Sequence, residues 1–137
     1  MKKQKICIIG GSLTGLVTAI SLSKLDCDID LITGDLNRNL KTNRTIAISE
    51  NNFDFLNKLN ISKSFKNEMW SCSVMKLYTE IQNKNFSEIF ELNRENKKGK
   101  ILYMIENSKM IKLMINKIIV RTQRHHLSIV LPDSNRK

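Results

Sequence analysis

The chain is poor in the residues that break structure. One proline and five glycines in 137 residues argue against a low-complexity or disordered main state. Cysteine is scarce too. Cys7, Cys27 and Cys72 are odd in number and form no C-x-x-C pair, which argues against a disulfide framework and a cysteine zinc site. A reducing compartment, the cytoplasm, fits best, and Cys7 is expected to be a small core residue. Aromatics make up only 6% and do not interleave with the basic residues as stacking platforms for bases would. No run approaches the ~18 apolar residues of a membrane-spanning helix. The opening "MKKQK" resembles the start of a secretory signal. The apolar stretch behind it, however, is broken by Gly10, Gly11, Ser12 and Thr14 and has no small-residue exit.

What remains is globular in composition, with 41% hydrophobic and 26% charged residues in a length that suits one small domain. The net charge of +10 is uneven. Residues 1–60 carry eight Lys/Arg against six Asp/Glu, and residues 61–137 carry fifteen against seven. A basic second half could meet nucleic acid, an anionic membrane or an acidic partner. The plainer reading is a set of solvated lysine-rich faces.

"KICIIG" at residues 5–10 is a short continuous apolar run, as in a strand buried on both faces. Leu13, Leu16, Val17 and Ile20 follow at helical spacing over residues 13–25, and "DIDLIT" at 28–33 reads as a second strand. Strand, helix and strand make a βαβ unit with parallel strands. After a polar loop, "RTIAIS" at 44–49 is extended, and Ser49 is a candidate N-cap for a helix over residues 50–59. Phe53 with Leu56, and Phe55 with Leu59, are its expected apolar contacts. Residues 73–82 read as a strand, and 86–92 and 101–105 as two more around the turn "NRENKKGK". Asn107 or Ser108 then caps a helix with Met110, Ile111, Met114, Ile115 and Ile118 on one face. The expected fold class is α/β: an incomplete Rossmann-like domain, βαβ at its N-terminus, with an added β-hairpin or strand region.

The turn "GGSLTG" carries the chemistry. In a dinucleotide fingerprint Gly10 allows the tight exit from the strand and Gly15 lets the helix pack closely. The position where backbone approaches pyrophosphate holds Ser12 instead of glycine. Serine adds a hydroxyl that can cap or donate to phosphate. The helix start still offers free N–H groups and a positive dipole end. Gly10, Gly11, Ser12, Leu13, Thr14 and Gly15 are therefore the candidate pyrophosphate cradle, with a purely structural turn as the alternative. A ribose-binding acid is expected near the end of the second strand. Thr33 stands there, Asp35 lies just beyond, and Asp30 is mid-strand; Thr33 and Asp35 are the candidates.

Three stretches in order resemble the N-terminal part of FAD-dependent aromatic hydroxylases, especially those of ubiquinone biosynthesis. They are "KICIIGGSLTGLVTAISLSKL", "NRTIAISENNFDFLNKLNI" and "ILYMIENSKMIKLMINKI", spanning residues 5–118. The first is common to many flavoproteins; the other two are more specific. The resemblance implies a flavoprotein oxidoreductase with FAD as the bound dinucleotide and Arg44 beside its pyrophosphate. It also implies NAD(P)H as reductant in the complete family, a polyprenylated phenol as substrate, and work at the inner face of a membrane. A guanidinium can pair bidentately with phosphate, which agrees. No residue presents itself as a catalytic acid or base, and no metal site is expected.

Members of that family are much longer, and their third parallel strand is expected here near "KIIV" at 117–120. Residues 121–137 hold three of the six arginines, both histidines and the only proline, but one of seventeen lysines. The expected organisation is a partial FAD-binding domain over 1–120 and an atypical tail over 121–137, out of frame or disordered. On this reading the chain is an inactive monooxygenase fragment whose remainder, or another ubiquinone-biosynthesis protein, is a candidate partner. The alternatives are a fragment of another FAD- or NAD-dependent oxidoreductase, and a small basic module binding nucleic acid or an acidic partner.

Overall fold

A computed structural model describes residues 3–36, 43–82, 85–93, 99–122 and 127–131. In chain order the elements are β1 (Gln4–Ile9), α1 (Leu13–Leu22), β2 (Cys27–Ile32), β3 (Thr45–Ser49) and α2 (Glu50–Lys58). Two short 3-10 turns follow, then β4 (Trp70–Cys72), β5 (Val74–Gln82), β6 (Asn85–Asn93), β7 (Leu102–Glu106), α3 (Asn107–Thr122) and β8 (Leu127–Val130). The chain is mixed α/β, and its βαβ unit forms as the periodicity expects.

The parallel sheet runs β1-β2-β8. Register aligns Ile6 with Ile29 and Ile8 with Leu31, while Leu127 and Ile129 continue the same rows. This face packs under α1, through Leu16, Ala19 and Ile20, and under α3, through Met110, Ile111, Met114 and Ile118. The opposite face differs from the expected two-sided burial. It carries the rows Lys5–Asp28 and Cys7–Asp30–Ser128, and Cys7 is exposed rather than a core residue. Lys5 reaches Asp30 at 2.9 Å, and Ser128 also hydrogen-bonds Asp30. The alternation of apolar and polar residues in β2 and β8 therefore marks a sheet with one covered face.

Two pairings differ from expectation. β6 pairs antiparallel with β5, not with β7. β7 is instead the central strand of a second sheet, β3-β7-β4, whose β4 the sequence pattern does not announce. Residues 94–98 of the expected hairpin tip lie outside the described residues. The third parallel strand is β8 at 127–130, because α3 runs on through "KIIV" to Thr122. Arg121 and Thr122 are the last residues of α3, and Leu127–Val130 form β8. Arg121 lies in α3 and its guanidinium donates to the Ile20 carbonyl and the Ser23 hydroxyl at the end of α1. Helix C-termini leave carbonyls unpaired, and this side chain satisfies one of them. His125 and His126 lie outside the described residues.

Ser49 caps α2 as expected, accepting from the Asn52 N–H at 3.3 Å. The helix ends in a Schellman arrangement: Asn60 takes φ 59°, its N–H donates to Asn57, and the Ile61 N–H donates to Leu56. Phe53 stacks on Tyr103 of β7 at 4.3 Å between ring centres. Leu56 and Leu59 are buried, while Phe55 remains 46% exposed. No helix among the described residues is long and apolar enough to cross a membrane.

Candidate functional site

The glycine turn sits where β1 ends and α1 begins. Gly10 takes φ +116°, a conformation open to glycine and strained for other residues. Its N–H donates to the Ile32 carbonyl at 2.8 Å, extending the β1–β2 ladder into the turn. Gly15 rests on the turn itself: a β-carbon there would lie 1.9 Å from the Gly10 carbonyl oxygen. Gly11 has no room either, since a β-carbon would meet the Thr33 hydroxyl at 2.0 Å. Each of the three glycines is thus required by the backbone path or by contact.

Ser12 stands at the N-cap in an extended conformation, and its hydroxyl makes no capping bond. The first helical bond is Leu16 N–H to the Ser12 carbonyl at 2.9 Å. The amides of Leu13, Thr14 and Gly15 therefore have no acceptor within the helix. No acidic side chain occupies the first turn, so the helix carries no carboxylate of its own against its positive end. A turn lined by backbone N–H groups and lacking β-carbons at its contact points suits a pyrophosphate. It does so with serine in the middle position.

The ribose candidates separate. Thr33 is 6% exposed, packed under Gly11, and its hydroxyl donates to the Gly34 carbonyl at 3.2 Å. Its N–H donates to the Val130 carbonyl, tying the turn to β8. Thr33 shapes the floor of the turn. Asp35 is exposed on the loop beyond it. Asp30 points to the far face of the sheet. There the Ser128 hydroxyl and the Lys5 ammonium hold its carboxyl below the usual range.

Arg44 is exposed at the entrance to β3, and its carbonyl accepts from the Asn107 N–H at 2.8 Å, joining β3 to the start of α3. The next residues of β3 share a cavity of about 550 Å³ with the first turn of α1. Leu13, Thr14, Val17, Ile46, Ala47 and Phe55 are among its walls. Its lining carries no charged side chain, and such a space suits an apolar group. Sequence periodicity cannot find this cavity, because its walls come from α1, β3, α2 and α3, which lie far apart in the chain. Among the described residues, no group of three or more ligating side chains could hold a metal.

No protein-family model matches the chain, and no curated protein matches it. Solved structures do. The chain shares its fold with known oxygenases. A variant of 2-methyl-3-hydroxypyridine-5-carboxylic acid oxygenase superposes with a TM-score of 0.65 at 19% identity, over 93% of this chain and 32% of that one. The p-nitrophenol 4-monooxygenase PnpA from Pseudomonas putida DLL-E4 gives 0.66 at 13% identity, over 96% and 32%. A variant of PqsL from P. aeruginosa gives 0.72 at 9% identity, over 95% and 34%. The chain thus spans about a third of the length of these structures. At these identities the likeness is one of fold.

Proposed function

We propose that this chain is the FAD-binding portion of a flavin-dependent monooxygenase acting on an aromatic compound. The observation that carries the reading is the glycine turn, with Gly15 seated on the Gly10 carbonyl and three first-turn amides open to an anion. Its setting supports the reading, because the fold is shared with oxygenases of a pyridine carboxylic acid and of p-nitrophenol. The sequence resemblance to FAD-dependent aromatic hydroxylases points the same way.

On this proposal the incomplete Rossmann-like βαβ unit holds the pyrophosphate with the amides of Ser12, Leu13, Thr14 and Gly15. Gly10 and Gly11 keep the turn open, Thr33 supports it from beneath, and Asp35 faces the ribose. Arg44 pairs with a phosphate oxygen. Bound FAD supplies the redox chemistry. The chain's own residues bind and orient it, and no candidate acid or base moves a proton here. The domain alone therefore binds without turnover. NAD(P)H as reductant and a ubiquinone-precursor-like substrate at a membrane surface are the finer part of the proposal, resting on the resemblance.

The test is titration of the purified chain with FAD, followed by flavin fluorescence, with circular dichroism confirming that each variant is folded. Saturable binding is expected. Arg44→Ala should weaken it about tenfold or more, the effect of losing a charge-assisted hydrogen bond. Gly11→Val should abolish it. A folded wild-type chain that leaves flavin emission unchanged at every concentration would sink the reading.

A further inference from the structure

Thr33 follows β2 directly beneath the glycine turn, and its side chain is buried. Its backbone cannot withdraw. The Thr33 N–H donates to the Val130 carbonyl at 3.1 Å, and the neighbouring Ile32 carbonyl accepts from the Gly10 N–H at 2.8 Å. β8 on one side and the end of β1 on the other thus hold the strand end in place. Gly11, itself buried, lies over the side chain. A β-carbon on Gly11 would meet the Thr33 hydroxyl oxygen at 2.0 Å and the Leu36 Cδ2 at 2.7 Å, so the oxygen is the nearest atom beneath the turn. That hydroxyl is also engaged, donating to the Gly34 carbonyl at 3.2 Å.

We propose, on the reading of the turn as a pyrophosphate site, that Thr33 is a positioning residue for that cradle and takes no part in holding the ribose. A ribose contact needs a side chain turned outward, and this hydroxyl lies under Gly11 with its proton already given to Gly34. What it sets is a distance. An oxygen approaches a backbone Cα–H group at about 3.3–3.6 Å, whereas two carbons settle at about 3.5–4.0 Å. A methyl in place of the hydroxyl therefore lifts Gly11 by roughly a few tenths of an ångström. The strand end is held, and glycine backbone is the softest part of the path, so Gly10 and Gly11 take up the shift. The amides of Ser12, Leu13, Thr14 and Gly15 follow directly on them. Their bonds to a phosphate weaken as the donors turn off line. The size of residue 33 is passed in this way to the phosphate contacts of the turn, without any contact of its own to the nucleotide.

Calorimetric titration of the 137-residue chain with ADP and with its 2′-deoxy analogue decides this, because the two ligands share the diphosphate and differ at one ribose hydroxyl. Thr33→Val keeps the branched shape and puts a methyl in the place of the oxygen, while Thr33→Ser keeps the oxygen. The Val variant should weaken both ligands by the same factor, about tenfold, as misaligned hydrogen bonds to an ionised phosphate would. Its preference for ADP over the deoxy analogue should stay that of the wild type, since groups that do not touch contribute additively. The Ser variant should bind both as the wild type does. Circular dichroism checks folding, and if the Val variant is unfolded, Thr33→Ala, which removes the support, should likewise shift both ligands together. A Val or Ala variant that loses the preference for ADP makes Thr33 a ribose contact and overturns the proposal. Variants that bind both ligands unchanged overturn it too, as does a wild-type chain that takes neither nucleotide. Binding of ADP without binding of FAD would sink the flavin reading alone, and the same ratios would still decide the role of Thr33.

Discussion

A β-carbon on Gly15 would lie 1.9 Å from the carbonyl oxygen of Gly10. The obstacle is backbone, which cannot swing aside as a flexible side chain can. Gly15→Ala must push α1 away from the end of β1. We expect a loss of about 3 kcal/mol, the upper end of the usual cost of overpacking. Urea unfolding measures it. An unchanged midpoint would mean that the turn is looser than the contact implies.

Asp30 links all three strands of the parallel sheet through Lys5 and Ser128. The Ser128 hydroxyl and then the Lys5 ammonium hold its carboxyl below the usual range. The native state therefore favours the ionised form. Its contribution is fully present above the unfolded-chain value of about 3.9 and is lost as pH falls through the lower native value. The urea midpoint should drop on acidification through that window. Asp30→Asn should remove part of the slope there, and an identical acid limb in the variant would contradict the assignment.

Asn60 holds a left-handed conformation at φ 59° and closes α2 through two backbone bonds. Asn60→Gly should stabilise the chain by about 0.5–1 kcal/mol, and Asn60→Val should cost about 1–2 kcal/mol. Ile61 is fully buried beyond the turn, so the effect should appear as a change in global stability rather than local fraying. Thermal unfolding of both variants distinguishes these signs.

Arg121 anchors α3 to the end of α1 through the Ile20 carbonyl and the Ser23 hydroxyl. Arg121→Met keeps the stem and removes the donors. A destabilisation of about 1–3 kcal/mol is expected, the usual effect of losing hydrogen bonds to a charged group. An unchanged stability would mean that these bonds do not hold α3 to the end of α1.

Local order was legible in the sequence because it depends on near neighbours. The apolar run before Gly10, the helical spacing of Leu16 and Ile20 and the Ser49 cap each announce their element within a few residues. The glycines of the turn could be assigned roles for the same reason. Strand partners were not legible. β6 reads as well against β7 as against β5, yet β7 is taken between β3 and β4 in another sheet, where Tyr103 also stacks on Phe53 of α2. Thr33 shows the same division within the site. The sequence marks it as a residue at a strand end, a natural place for a ribose contact. The fold buries its hydroxyl beneath Gly11, because β8 arrives on the far side of β2 and pins the Thr33 backbone. The sequence by itself determined most of the secondary elements and the glycine turn, which are set by spacing and backbone freedom over short distances. Tertiary structure alone decided which face of the parallel sheet α1 and α3 cover and where its third strand lies. Those outcomes depend on side chains a hundred residues apart meeting in one core.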